Sequence, residues 1–471
     1  MASGWYGAVC VFAIPGIAAL MVFILARPQE FVPLLQRVPF LHLFTALAVL
    51  GWVIDVRLRR LSPHGTPVLP WAIAFLVWCI ITVAIVVPEQ LLGKIIELGI
   101  LFALYGTISH GVQRFRTFQV LAAVLASTCM FIALVCFHQG LTPTQCVAGQ
   151  ERAGEIAGIP DGRLCETNEE CHRNIPDGML GYEYRCEHVG LFGTYSLEER
   201  VRYRGELQDP NEVSLVITAG ALSILIAFMR RKQGPLLQLV CVGAAIIALI
   251  TIFMSKSRGG QVGALLVFFI YLVRKYGVIA FLPAGVLALP VMLLGGRGGE
   301  AADASTQQRY EAWATGFNLF RRSPVFGVGQ GQFTDHHYLT AHNSFVLAAA
   351  ELGFVGLFLF TAIVYLTFKS LIVGLIRLRT VPGAEVAQVW GLALLASMCG
   401  MMFQINTLSF TYHSVLWIFF AFVGAWSGAI RHHMPELQPK LTWRDMAIIA
   451  VVDLVYMLVV LPILLRAKGE L

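Results

Sequence analysis

The chain has 471 residues, 57% of them hydrophobic and only 13% charged, with a net charge of +6. A soluble protein of this length needs more charge to cover its surface. The net charge says little about nucleic acid, and none is expected as a partner: the positives are scattered over short loops, the signature of membrane orientation. Long apolar runs must satisfy their backbone inside lipid, so the composition requires an all-α, polytopic integral membrane protein.

Thirteen segments read as candidate transmembrane helices, near 5–25, 39–54, 68–87, 91–108, 117–137, 213–229, 235–254, 258–273, 277–295, 344–368, 386–406, 413–430 and 446–465. The first has no preceding basic residue and no small-residue cleavage site, and so reads as an uncleaved helix. Basic residues follow every even-numbered segment: Arg57, Arg59 and Arg60, then Arg114 and Arg116, and so on to Arg431, Lys440 and Arg444. These loops are expected to be cytoplasmic, as is the amino terminus. The chain then divides into helices one to five (1–137), an outer loop (138–212), helices six to nine (213–295), a second outer loop (296–343) and helices ten to thirteen (344–471).

Cysteine placement agrees with that sidedness. Cys10, Cys79, Cys129, Cys136, Cys241 and Cys399 lie in apolar segments, where they read as small buried hydrophobes. Cys146, Cys165, Cys171 and Cys186 all fall in the first outer loop. In an oxidising compartment they imply two disulfides with three possible pairings. A zinc site is the competing reading, but the loop has neither a CxxC pair nor a matching histidine spacing.

Three clusters at outer helix ends carry chemistry. In RYRGELQDPN, Arg202 to Asn211, Asp209 or Asn211 is expected to cap the sixth helix, with Pro210 in its first turn. Capping does not explain Arg202 and Arg204, whose bland role is contact with lipid headgroups. In SKSRGG, Ser255 to Gly260, Arg258 falls on the side where positive charge is disfavoured, next to a Gly-Gly turn that lets a phosphate approach the backbone. In the second outer loop, Trp313, Phe317 and Phe320 recur at helical spacing. They predict an amphipathic helix on the outer membrane face carrying Arg309 one turn before Trp313. Pro324 ends it, and the turn of Gly327, Gly329 and Gly331 follows.

His342 and Asn343 open helix ten, with Asn343 or Ser344 as the cap. A helix amino terminus favours the neutral imidazole, which can accept a proton; the bland alternative is a capping or interfacial residue. His336, His337 and Asp335 raise a metal reading that adjacent histidines disfavour, and no metal is expected. Glu351 lies nine residues into the same apolar helix, where a carboxylate is costly and so paired or functional. Glu97 and Asp453 are similar but nearer helix ends.

In this order, R-x-G-x-x-x-D-P-N, S-R-G-G, R-x-x-x-W, P-x-F-G-V-G-x-G-x-F, H-N-S-F and E-L-G-x-x-G resemble the bacterial O-antigen ligase and polysaccharide polymerase superfamily (Wzy/WaaL type). The resemblance covers Arg204 to Gly356; RPQE, Arg27 to Glu30, is also similar to members. It implies a GT-C-like membrane glycosyltransferase of the bacterial inner membrane, with about twelve helices and a periplasmic active face. It also implies that glycan is taken from undecaprenyl diphosphate to a glycan or lipid acceptor, without a cofactor. By motif position it makes His342 the catalytic base and Arg204, Arg309 and Arg258 the diphosphate-binding residues. Asn343, Glu351, Trp313, Asp209 and Asn211 support them. Helix thirteen and the four-cysteine loop depart from the family core. The acceptor separates a repeat-unit polymerase, the preferred reading, from a ligase to lipid A-core or protein. Pathway partners would be a flippase and a chain-length regulator. A transporter of the same lipid-linked glycan is the reading from another class. It would place polar residues near the midplane in repeated halves, whereas these charges cluster at helix ends.

Overall fold

The computed structural model describes residues 11–149, 151–152, 155–156, 158–173, 175, 183–230, 234–280, 300–431, 434–435 and 437–471. The chain is an all-α polytopic membrane protein. Its principal helices are α1 (Ala13–Leu25), α2 (Phe40–Arg57), α3 (Leu69–Val86), α4 (Leu91–Gly111), α5 (Phe115–Gln139), α6 (Pro210–Met229), α7 (Pro235–Met254), α8 (Arg258–Tyr276), α9 (Glu300–Arg322), α10 (Ser344–Leu378), α11 (Glu385–Gln404), α12 (Ser414–Ile430) and α13 (Trp443–Ala467).

Twelve of the thirteen expected segments are therefore helical. Among the described residues nine are long and apolar enough to cross a membrane; α1 and α12 are shorter apolar helices. The nineteen residues of α8 carry Arg258 at one end and Arg274 and Lys275 at the other. Of the segment 277–295, only a 3-10 turn at Gly277–Ala280 is described; the rest lies outside the described residues, as does Cys10. The doubtful last segment is a continuous 25-residue helix, interrupted only by a π-helical turn at Tyr456–Val460.

The chain forms two compact units interleaved in sequence. One comprises Met1–Ile24, Pro39–Val124 and Gly298–Leu471; the other comprises Leu25–Val38 and Leu125–Arg297. The first is built around α12, in which every residue is buried. A helix apolar on all sides belongs in the centre of a bundle. Trp426 fills the space that Gly374 of α10 and Gly391 of α11 leave open, and its indole N–H donates to the Ala387 carbonyl at 2.8 Å. Gly424 lets α12 approach Ser109 of α4.

In the second unit, α6, α7 and α8 pack with the end of α5, and a small sheet precedes them. Its strands β1 (Thr144–Gly149), β2 (Ile159–Leu164) and β3 (Glu183–His188) are antiparallel in the order β2-β1-β3, with Cys146 opposite Cys186. The disulfides are Cys146–Cys171 and Cys165–Cys186. They tie β1 to the one-turn helix Asn168–Cys171, and the segment after β2 to β3. Among the described residues the only three-ligand grouping of His, Cys, Asp or Glu is Cys146, Cys165 and Cys171. With those sulfurs in disulfides, no thiolate is left for zinc.

Candidate active site

The expected site residues fall into two groups, one in each unit. In the first unit, α10 is not one uninterrupted span. It breaks at Gly353, whose φ of 66° and ψ of −166° no helix accommodates. The break frees carbonyls at the end of the half-helix Ser344–Leu352, and the glycine turn takes them. Val328 N donates to Ala350 O at 3.0 Å and Gly329 N to Glu351 O at 2.9 Å. Trp78 of α3 donates from Nε1 to Leu352 O at 2.9 Å, and Phe354 N donates to Pro324 O at 2.7 Å. A side chain on Gly327 would meet the Glu351 backbone, and one on Gly353 the Val325 carbonyl.

Glu351 gains its partners here. Its carboxylate accepts from Gly331 N at 2.9 Å and from Phe333 N at 3.0 Å. Lys94 approaches the same turn, since a Cβ on Gly331 would lie 2.7 Å from its Nζ. Lys94 also pairs with Glu97 at 2.9 Å. Glu351 is thus the clamp that closes the glycine turn on the broken helix. That is a structural role, carried by the charge-assisted bonds that make a buried carboxylate tolerable.

Asn343 is the N-cap of the half-helix, its Oδ1 accepting from Phe345 N at 3.0 Å and Val346 N at 3.1 Å. Ser344 bonds the loop after α11: its N–H donates to Ile405 O, and its hydroxyl donates to Leu408 O and accepts from Phe410 N. His342 is half-buried, with φ of +46°. A left-handed non-glycine backbone is uncommon and persists where its surroundings impose it. Here the constraint is the capped helix on one side and the glycine-turn loop on the other.

The helix bearing Arg309, α9, lies with its apolar face on protein. Ala312, Phe317 and Phe320 are buried, and a Cβ on Gly316 would meet Val346 of α10 and Phe333. The expectation that this face lies on the membrane surface is corrected accordingly: α10 covers it. Two anchors, Gly316 against Val346 and Pro324 O against Phe354 N, are each thirty residues apart in sequence. The helices therefore run parallel. Half-buried Arg309 lies two turns before Gly316 on the same helix. Trp313, one turn after Arg309, sits edge-on to Tyr310 at 5.5 Å between ring centroids.

In the second unit Asp209, not Asn211, caps α6: its Oδ1 accepts from Asn211 N and Asn211 Nδ2, both at 2.8 Å. Asn211 instead joins two motifs, its Oδ1 accepting from Ser257 Oγ at 2.7 Å and Arg200 Nη2 at 3.1 Å. Ser257 caps α8 through Gly260 N, and Arg200 Nε donates to Ser255 O at 3.0 Å. The amino termini of α6 and α8 are thereby held side by side, two positive dipole ends at one end of the unit. Exposed Arg258 is the first residue of α8.

Arg202 is not at a lipid headgroup. It is buried, its guanidinium stacks 4.3 Å from the Tyr195 ring centroid, and its Nε donates to Tyr195 O at 3.0 Å. Burial holds its pKa below the ordinary value. Arg204 lies in extended backbone before the turn Gly205–Leu207 and lines a cavity of about 960 Å³ with Arg27, Tyr195, Arg202, Tyr203 and Glu206. Arg27 of the RPQE segment pairs with Glu30 at 2.8 Å and Glu206 at 3.0 Å, and the Tyr203 hydroxyl donates to Ala26 O at 2.7 Å. Arg204, by contrast, has a buried Nε with no partner. It is a guanidinium at a cavity wall with hydrogen-bonding capacity to spare.

Sequence reasoning missed Lys94 and Arg200 as parts of these constellations, and noted Arg27 only within the RPQE resemblance. A lysine inside an apolar helix was the available signal for Lys94. Arg200 had no local signal, and the tie of Arg27 to Glu206 joins residues distant in the chain.

Residues 243–361 match the Wzy_C family, O-antigen ligase. The matched stretch contains Arg258, Arg309, His342 and Glu351; Arg204 precedes it. No curated protein matches the chain. Beside the helical membrane architecture, the matched family implies a glycan-transferring enzyme. Residues 243–361 thus resemble the O-antigen ligase/polymerase superfamily, and the match supports a function of that type in surface polysaccharide assembly.

Proposed function

We propose that the protein transfers glycan from undecaprenyl diphosphate to an acceptor hydroxyl on the periplasmic face of the inner membrane, as a repeat-unit polymerase. The observation that carries this reading is His342, held in left-handed backbone beside the capped start of the half-helix on which the arginine helix α9 packs at Gly316. As the hydroxyl attacks the anomeric carbon, His342 takes its proton, the bond to the diphosphate breaks, and the configuration inverts. Negative charge grows on the leaving diphosphate. Arg204, Arg309 and Arg258 meet it, because guanidinium stays charged and binds phosphate oxygens in pairs. The spare Nε of Arg204 and the paired amino termini of α6 and α8 support that role. The arginines stand in for the divalent metal that many sugar transferases use. Asn343 holds the histidine loop, and Glu351 holds the turn beneath it.

The disulfide-stapled sheet before α6 is proposed to shape acceptor choice on the polymerase path. The description of the matched family favours the ligase alternative, in which the finished glycan passes to lipid A-core or protein. One experiment separates them. Wild type and His342→Ala are expressed in a host that lacks its own polymerase and ligase but makes lipid-linked repeat units. A glycan ladder on undecaprenyl diphosphate, absent in the variant, is expected. Glycan moved to lipid A-core or protein would make the enzyme a ligase, and a variant as active as wild type would remove His342 from the chemistry. With purified protein, activity is expected to survive EDTA.

A further inference from the structure

We propose that the C-terminal helix α13 is a splint for this site and that Tyr456 is a positioning residue for the His342 loop. The inference rests on the reading of His342 as the base. It begins from the break at Gly353, which leaves the half-helix Ser344–Leu352 joined to the rest of α10 by a hinge. A catalytic residue at the tip of such a hinge must be tied down to within about 0.5 Å.

Helix α13 is bonded to both sides of the break. Below it, Asp445 accepts from the Tyr365 hydroxyl at 2.7 Å and from Lys369 Nζ at 2.6 Å, and Asp453 Oδ1 accepts from the Thr361 hydroxyl at 2.9 Å. Above it, the Tyr456 hydroxyl accepts from Asn343 Nδ2 at 2.9 Å. Both ends of the Asn343 amide are therefore committed, the oxygen to the helix start and the nitrogen to Tyr456. That leaves the backbone of the adjacent His342 little freedom. Tyr456 is also the first residue of the π-helical turn Tyr456–Val460, and such turns re-aim side chains at functional sites.

The end of the chain reaches the arginine helix as well. Lys468 sits 5.4 Å from the Tyr310 ring centroid, one residue from Arg309, and Gln307 of α9 donates to the Glu470 carboxylate. One helix thus contacts the part of α10 after the break, the cap beside His342 and the helix of Arg309.

The test uses the full-length protein in detergent with a lipid-linked oligosaccharide donor, following transfer and melting temperature together. Tyr456→Phe removes only the hydroxyl. It is expected to lower kcat about five- to ten-fold with KM for the donor and the melting temperature unchanged. In an Asn343→Ala background it should add no further loss. Thr361→Val, which cuts one tie below the break while Asp445 keeps the other two, should lower kcat less than Tyr456→Phe does. Lys468→Gln, an exposed change, should weaken transfer about two- to five-fold through KM for the donor. Wild-type kcat in Tyr456→Phe, or a loss that only tracks melting, would overturn the proposal. His342→Ala in the same assay separates the two ideas: an active His342→Ala sinks the assignment of the base, whereas an inactive one beside a fully active Tyr456→Phe sinks the splint alone.

Discussion

Single residues decide the geometry of this site, and Gly353 decides most. Its φ and ψ lie in a region that only glycine enters readily, and the space a side chain needs is taken by the Val325 carbonyl. Gly353→Ala is expected to cost about 2–4 kcal/mol and to abolish transfer, because it must expel the glycine turn or straighten the helix. Gly99, helical and facing open space in α4, is the control, and its alanine variant should melt like wild type or slightly higher. Melting of both variants in detergent checks this; an unaffected Gly353→Ala would mean the break is not needed. Glu351 was legible as an intramembrane carboxylate that needed partners. The partners were not, because they are backbone N–H groups of Gly331 and Phe333, eighteen or more residues away.

At the scale of elements, apolar length located the helices and periodicity located the amphipathic α9. Neither said what covers an apolar face, and α9 packs on α10. The loop joining α2 to α3 shows a further consequence of packing. His64 lies 5.3 Å from His110 between ring centroids and within 3.2 Å of Gln113 Nε2. Burial pulls its pKa from the ordinary 6.5 to about 4. The folded state therefore binds the proton less readily than the unfolded one. His64 costs nothing above pH 6.5, and stability drains away as the pH falls from 6.5 towards 4. Melting curves of wild type and His64→Gln between pH 7 and 4.5 should converge at the top of that window and diverge at the bottom, with wild type losing more. Parallel curves would mean that the imidazole titrates normally.

For the whole molecule, the disulfides bear on one region only. They close separations of 25 and 21 residues around a small sheet, each worth about 3 kcal/mol in the chain-entropy account. Cys79, Cys129, Cys136 and Cys241 are buried free thiols in helices. Reductant should therefore loosen residues 144–188 while the helical circular dichroism persists, and hydrogen exchange should show new exposure confined to that segment. Global loss of helix would mean that the sheet supports far more than itself. The four cysteines announced two bridges, but Cys146 faces Cys186 across the sheet and bonds Cys171 instead. The strands themselves were not anticipated, being short, polar and rich in turn residues.

The sequence by itself determined the class of architecture and the family resemblance, because an apolar run in lipid has to be helical whatever its neighbours, and because the short motifs keep their order along the chain. Tertiary structure decided the break in α10, the partners of Glu351, the choice of Asp209 as cap, the disulfide pairing and the reach of Tyr456 to Asn343. Each of these is a contact between residues far apart in the chain. Local pattern can show that a polar group needs a partner, but only packing determines which group arrives.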